Sequence, residues 1–290
     1  MLFWGVSFFA TKLALNAGFS PMTVVWLRMV VAVLTLAPFW SRLPRPQRQP
    51  GDLKWLAVVC VLQPGIYYLA ENYAIGLTTS SQAGVISAIV PLLVAAGAWL
   101  FLRERLAGRT LGGIVMSVAG VVALSAGAAA DATAPNPVLG NTLEVLAMVS
   151  AAGAVLAIKH LLGRYNPWVL TGIQSLFGVV FFMPGALLSK PSTWLSVPPV
   201  AWVGVVFLGA FVSLGAFGLY NTAMTMMPAS QAAIAINAVP IVALMAGWLL
   251  GGETLSPLQF AGIGAIALGV GLAQTGGDVL PEVDTGLGEG

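Results

Sequence analysis

The sequence predicts an all-α integral membrane protein: ten transmembrane helices arranged as two inverted five-helix repeats around a central cavity. Three observations carry that prediction. Of 290 residues, 58% are hydrophobic and 8% charged, against about 25% charged in soluble domains. Ser81 to Pro91 reads SQAGVISAIVP and Ser230 to Pro240 reads SQAAIAINAVP, a likeness that recurs along the chain at one offset of 149 residues. Lysine and arginine gather in alternate connections, which lie on one side of the membrane.

A helix crosses the bilayer with roughly 20 apolar residues, and such runs fall near 2–18, 22–40, 54–76, 81–102, 110–128, 140–161, 168–188, 200–223, 229–250 and 257–275. Span 1, LFWGVSFFATKLAL, begins directly after Met1, so no cleavable signal is expected. Ser20-Pro21 opens span 2, placing an N-cap side chain before a proline at the first helical position. Pro44, Pro46 and Pro50 exclude helix from Leu43 to Gly51. Ala128 to Pro137 is a small-residue connection, and Asn166-Pro167 and Ser256-Pro257 open spans 7 and 10 as Ser20-Pro21 opens span 2.

The duplication assigns residues 1–130 to a first repeat and 138–275 to a second, leaving 276–290 as a disordered acidic tail. At the 149-residue offset Asn72 matches Asn221, Trp99 matches Trp248 and Glu104 matches Glu253. Gly113 and Gly120 match Gly262 and Gly269, and positions 72–124 hold 15 identities in 53. Shared apolar composition does not account for so many.

Orientation follows from the basic residues. Arg42, Arg45, Arg48 and Lys54 mark the second connection, Arg103, Arg105 and Arg109 the fourth, and Lys159 and Arg164 flank the sixth. The positive-inside rule makes that side cytoplasmic, together with both chain termini. Five spans per half is odd, so the second half must enter upside down. The charges follow: RERL at 103–106 becomes GETL at 252–255, and NAGFSP becomes LGRYNP with its new Arg164. Inverted duplication of this kind marks secondary transporters, whose substrate site lies near the midplane between the halves.

Other classes fit poorly. A net charge of +2 does not call for a nucleic-acid partner, and the single Cys60 builds neither a disulfide nor a thiolate metal site. No metal and no cofactor are expected. There is no H-E-x-x-H, no pair of intramembrane aspartates, and the one histidine, His160, lies at a span end, so an enzyme is not expected.

The opening FWGVSFFATKLAL with SPMTVVWLR, the block NYAIGLTTSSQAGVISAIVPLLVAAGAWLFLRERL and its second-half echo resemble the drug/metabolite transporter superfamily, specifically its EamA-type ten-helix members. The resemblance covers nearly the whole chain except the tail. It implies a basket in which helices 1–4 and 6–9 surround a cavity while 5 and 10 stand outside. It also implies a bacterial inner (plasma) membrane carrier exporting amino acids, other metabolites or amphiphilic compounds.

Polar groups in hydrocarbon must face the protein interior, which selects the candidate site. Asn237 shares one face of span 9 with Ser230, Ala233 and Pro240; it either touches substrate or bonds a neighbouring helix. Pro91 and Pro240 each remove a backbone hydrogen bond and are candidate hinges. Tyr67, Tyr68 and Tyr220 accompany Asn72 and Asn221 on spans 3 and 8, and Trp4 and Trp26 stand on spans 1 and 2. Such rings with one polar tip suit an amphiphilic or zwitterionic small molecule.

Ionisable residues inside spans are functional candidates. Lys12 and Arg28 resemble the family's basic positions in helices 1 and 2, Arg28 as a candidate substrate contact and Lys12, with Glu71, as a candidate for coupling. Glu71 is the candidate for binding a coupling proton, with pairing to Lys12 as its plainer alternative. Glu144 is expected to sit at a helix start and complement its N-terminus. Gln82 and Ser81 are expected to cap, and Glu253 to act structurally at a turn. Within transport, an exchanger of phosphorylated or nucleotide-linked metabolites would want several basic groups in the cavity. Outside transport, a membrane receptor or scaffold remains the other reading.

Overall fold

The computed structural model describes residues 1–102, 108–189, 194, 196–226, 236 and 238–274, and every regular element among them is helical. In chain order these are α1 (Leu2–Asn16), α2 (Pro21–Leu36), α3 (Asp52–Cys60), α4 (Tyr67–Leu77), α5 (Ser80–Ile86), α6 (Val90–Leu102), α7 (Gly108–Ala126), α8 (Pro137–Leu161), α9 (Pro167–Leu188), α10 (Pro199–Val206), α11 (Phe217–Met226), α12 (Ala238–Gly251) and α13 (Pro257–Gln274). Joined through short 3₁₀ turns and the π-helical segments Val61–Ile66 and Phe207–Ala216, they give seven stretches long and apolar enough to cross a membrane, the longest being Pro199–Met226. Three shorter helices, Leu2–Asn16, Ala238–Gly251 and Pro257–Ala273, lie where spans 1, 9 and 10 are expected.

The molecule is apolar outside and polar within. Val180, Val203 and Leu268 are each about two-thirds exposed, while Lys12, Arg28, Glu71, Asn72, Asn141 and Glu144 are buried. In water that distribution would be unstable. In lipid it is required, because the polar groups meet one another only inside.

Local chemistry sets the helix starts. Ser20 Oγ accepts from Thr23 N at 3.2 Å, and Asn166 Oδ1 accepts from Trp168 N at 3.0 Å. Ser256 and Gln259 cap reciprocally, Ser256 N donating to Gln259 Oε1 at 2.8 Å and Gln259 N to Ser256 Oγ at 3.3 Å. In the loop between α7 and α8, Asp131 Oδ1 accepts from Thr133 N, Thr133 Oγ1 and Ala134 N, each at 2.7 Å. Those donors, the Thr133 hydroxyl first, hold its carboxyl below the usual carboxylate range.

The start of α5 differs from the capping expected of Ser81 and Gln82. Thr79 is the cap residue, its Oγ1 accepting from Gln82 N at 3.2 Å. Glu253 covers the other free amides: Oε1 accepts from Ser80 N at 2.9 Å and Ser80 Oγ at 2.6 Å, and Oε2 from Ser81 N at 2.9 Å. The carboxylate is brought there by a reversal at Gly252, whose φ of +64° few other residues tolerate. Gln82 instead accepts from Asn141 Nδ2 at 2.9 Å, and Asn141 Oδ1 accepts from Thr78 Oγ1 at 2.9 Å.

Two spans are interrupted at proline. Between α3 and α4 the chain leaves helical geometry at Gln63 (φ −145°, ψ 114°), just before Pro64. The freed carbonyls are taken by side chains of other helices, Ser150 Oγ donating to Leu62 O and Gln174 Nε2 to Gln63 O, both at 2.8 Å. Between α5 and α6, Ser87–Ile89 tightens to a 3₁₀ turn immediately before Val90-Pro91. Pro240 lies near the start of α12.

α7 and α13 pack on each other through glycine. A Cβ on Gly120 would lie 2.7 Å from Gly262 O, and one on Gly262 would lie 2.7 Å from Gly120 O; Gly113 and Gly269 face each other in the same reciprocal way. Small residues let the backbones approach. Gly120→Ala is therefore expected to cost about 1–2 kcal/mol through forced separation of the pair, read as a lower thermal midpoint in detergent. Gly264, whose Cβ position is open, is the neutral control.

Candidate functional site

A cavity lies between helices of both halves of the chain. Its lining comes from α1 (Trp4, Ser7, Phe8), the Gln63–Tyr67 break, the α5–α6 turn (Ser87, Val90), α8 (Met148, Ala151, Val155, Ile158), α11 (Phe217, Tyr220, Asn221), Ile236 and Val239. The empty space is about 630 Å³ counting its open mouth. The walls are apolar and aromatic, with a few polar groups set among them, which is the usual make-up of a small-molecule site.

The aromatic wall is built by α1 and α11. Trp4 meets Phe217 at 4.9 Å between ring centroids and Tyr220 at 5.1 Å, edge to face. The Trp4 Nε1 and Tyr220 hydroxyl are buried and meet no hydrogen-bond partner among the described residues. Asn221 Nδ2 donates to Thr171 Oγ1 at 3.1 Å. Of the residues singled out from sequence, Trp4, Tyr67, Tyr220 and Asn221 thus share this cavity.

The others are placed elsewhere. Arg28, Tyr68 and Glu71 form a buried ionic cluster beside it. Arg28 Nε donates to Ser213 Oγ at 2.8 Å, its Nη1 lies 3.7 Å from Glu71 Oε2, and its guanidinium sits 4.3 Å from the Tyr68 ring centroid. Tyr67 donates its hydroxyl to Glu71 Oε1, so one ring both lines the cavity and touches the ion pair. Asn72 is fully buried and donates to Tyr68 O on its own helix at 2.9 Å, away from the cavity. Trp26 packs toward Trp194, with ring centroids 6.0 Å apart. Asn237 lies outside the described residues.

Lys12 does not pair with Glu71, whose carboxylate is already held by Arg28 and Tyr67. Its Nζ donates to Ile75 O at 2.7 Å and Thr78 O at 2.6 Å, satisfying the end of α4. Lys159 Nζ donates to Met224 O at 2.7 Å, near the end of α11. Ile75 and Met224 are equivalent positions under the 149-residue offset, so the two lysines do the same work in each half. Glu144 also departs from expectation. Its helix begins at Pro137, two turns earlier, which carries the carboxyl into the interior, 0% exposed.

Sequence reasoning did not gather Ser7, Ser87, Met148 and Phe217 into the site. Their type alone is unremarkable in a span; the Gln63-Pro64 dipeptide in mid-span is the available signal for a break that lines the cavity.

Known proteins agree with this architecture. "Uncharacterized transporter YetK" of Bacillus subtilis is 30% identical over 248 residues, 84% of this chain and 75% of its own. An "uncharacterized transporter" of Archaeoglobus fulgidus is 28% identical, covering 92% and 93%. A "probable terminal-alkyne amino-acid exporter" of Streptantibioticus cattleyicolor is 26% identical, covering 91% and 87%. One crystal structure superposes with a TM-score of 0.61 at 21% identity, covering 94% of this chain and 93% of its own, a likeness of fold. The sequence profile of the EamA-like transporter family matches residues 1–126 and again 138–275, and with that match the chain belongs to the EamA-like transporter family.

Proposed function

We propose that this protein is a secondary transporter, an exporter of amino acids or similar amphiphilic metabolites, working by alternating access through the cavity between its halves. The observation that carries the reading is the cavity itself: an aromatic, largely apolar pocket walled by residues from both halves. Ten spans in two inverted repeats account for the two separate family matches, the equivalent Lys12 and Lys159 contacts and the reciprocal glycine pairs of α7 and α13. With the basic connections inside, both termini are cytoplasmic. Glu253 and Lys12 then close the outer end, and the two halves rock about the pocket, with Pro91 and Pro240 at the bends.

An apolar cage with Trp4, Tyr67 and Tyr220 at its rim of polar groups suits a solute with one hydrophobic side chain and a small charged head. The exchanger reading is weaker, since the described lining residues include no lysine or arginine. A receptor or scaffold would not need a cavity shared between repeats.

The test is counterflow in proteoliposomes with a panel of labelled neutral amino acids. Tyr220→Phe, which removes the unpartnered hydroxyl and keeps the ring packed on Trp4, is expected to lower uptake of an accepted solute about tenfold, the loss of roughly 1.4 kcal/mol of binding, with little change in thermal midpoint. Empty liposome rates for every amino acid tested would reject the proposal.

A further inference from the structure

Two buried carboxyls, Glu71 and Glu144, lie within electrostatic range of each other, and only one of them has a cation beside it. Glu71 has Arg28 and the Tyr67 hydroxyl. Glu144, on α8, is within electrostatic range of Glu71 and Tyr67, yet neither of its oxygens meets a hydrogen-bond donor among the described residues. An ionised carboxylate fully buried without a donor costs far more than taking up a proton. The charge count agrees: one guanidinium balances one carboxylate, not two.

Among the described residues the surroundings offer no other compensation. From α4 the facing groups are Glu71 and Tyr67; Tyr68 is turned to Arg28. Asp52 and Lys54 on α3, and Arg109 on α7, stand at the opposite end of their helices, and Cys60, buried at the near end of α3, is a thiol that brings no positive charge. α11 brings only Tyr220, whose hydroxyl faces the cavity. The intervening Val61–Ile66 turn, α5, Ser87–Ile89 and the described part of α6 carry no ionisable side chain. On α8 itself Lys159 and His160 lie roughly 22 Å along the axis at 1.5 Å per residue.

We infer that Glu144, rather than Glu71, is the site of an exchangeable proton, with Glu71 kept as a fixed anion by Arg28 and Tyr67. This deepens the transporter reading and rests on it for its purpose, naming the coupling ion of that site. The proton comes from water as the Glu144 carboxylate becomes a carboxylic acid, and returns to water when the bundle opens at that end. The link to solute is short. Met148, one turn further along α8, lines the cavity, and Tyr67 touches both the cavity and Glu71.

Infrared spectroscopy of the purified chain in lipid vesicles tests this without any solute. At neutral pH the wild type is expected to show the carbonyl band of a protonated carboxyl, shifting in heavy water. Glu144→Gln removes the band, Glu144→Asp retains one, and the Arg28→Leu/Glu71→Leu double variant leaves it in place. Glu144→Gln should melt at the wild-type temperature, since a neutral amide replaces a neutral acid. Absence of the band in wild type, its survival in Glu144→Gln, or a large fall in that variant's melting temperature would overturn the assignment. So would loss of the band on adding sodium at fixed pH and ionic strength, which puts a metal cation there instead. A chain that moves none of the amino acids tested would reject the transport reading and leave the band, and Glu144's proton, unaffected.

Discussion

Arg28→Leu should lower the stability of the folded chain by about 3–5 kcal/mol, the cost of leaving one member of a buried ion pair alone. The reason is local. Arg28 is 1% exposed, and its guanidinium serves Ser213, Glu71 and the Tyr68 ring together. Removing it strands the Glu71 carboxylate with a single donor, Tyr67. Removing both charges is a different experiment. Arg28→Leu/Glu71→Leu should recover most of the loss, because a buried pair replaced by apolar side chains of similar size is often neutral in stability. A thermal melt of the four members of this cycle in detergent decides it. Equal losses in the single and double variants would mean that the pair contributes little and that Arg28 matters through packing. The same cluster bears on function through Tyr67, so the double variant is expected to fold well and bind solute poorly.

What the sequence made legible, and what it hid, divides along physical lines. Span positions were readable because length and apolarity are sufficient conditions for a membrane helix. The Ser-Pro and Asn-Pro starts were readable because capping is chemistry between residues two or three apart. The duplication flagged Glu253 as a residue kept in both halves, though not that its partners would be two amides of α5. Facing relations were harder to see. In spans that are apolar all round, the pattern scarcely indicates which side turns inward. Lys12 was therefore set beside Glu71, when the carbonyls at the end of α4 take it instead. Glu144 was read as a helix-start residue for a simpler reason. Its span was expected to begin at 140, and the helix begins at Pro137. That difference, small in residues, moves Glu144 from a span end into the interior.

Glu253→Ala is the second large effect expected, about 2–3 kcal/mol, since charge-assisted hydrogen bonds to Ser80 and Ser81 are lost and buried donors are left open. Gly247 packs closely here: a methyl group placed on it would collide with both Ser81 Oγ and Glu253 Oε2. Glu253→Gln keeps one acceptor oxygen and should fall between alanine and wild type. The consequence reaches beyond stability. The carboxylate ties the end of α12 to the start of α5, while Gly84 of α5 presses against Ala243 of α12 one turn deeper. Releasing the outer tie leaves the glycine contact as a pivot, so the two helices should part at that end. In a Cys60→Ser background, a cysteine placed at Ser7 in the cavity wall should then react faster with a membrane-impermeant thiol reagent in Glu253→Ala than with Glu253 present. Equal labelling rates, alongside the expected drop in melting temperature, would make Glu253 a cap for α5 and remove it as the outer latch.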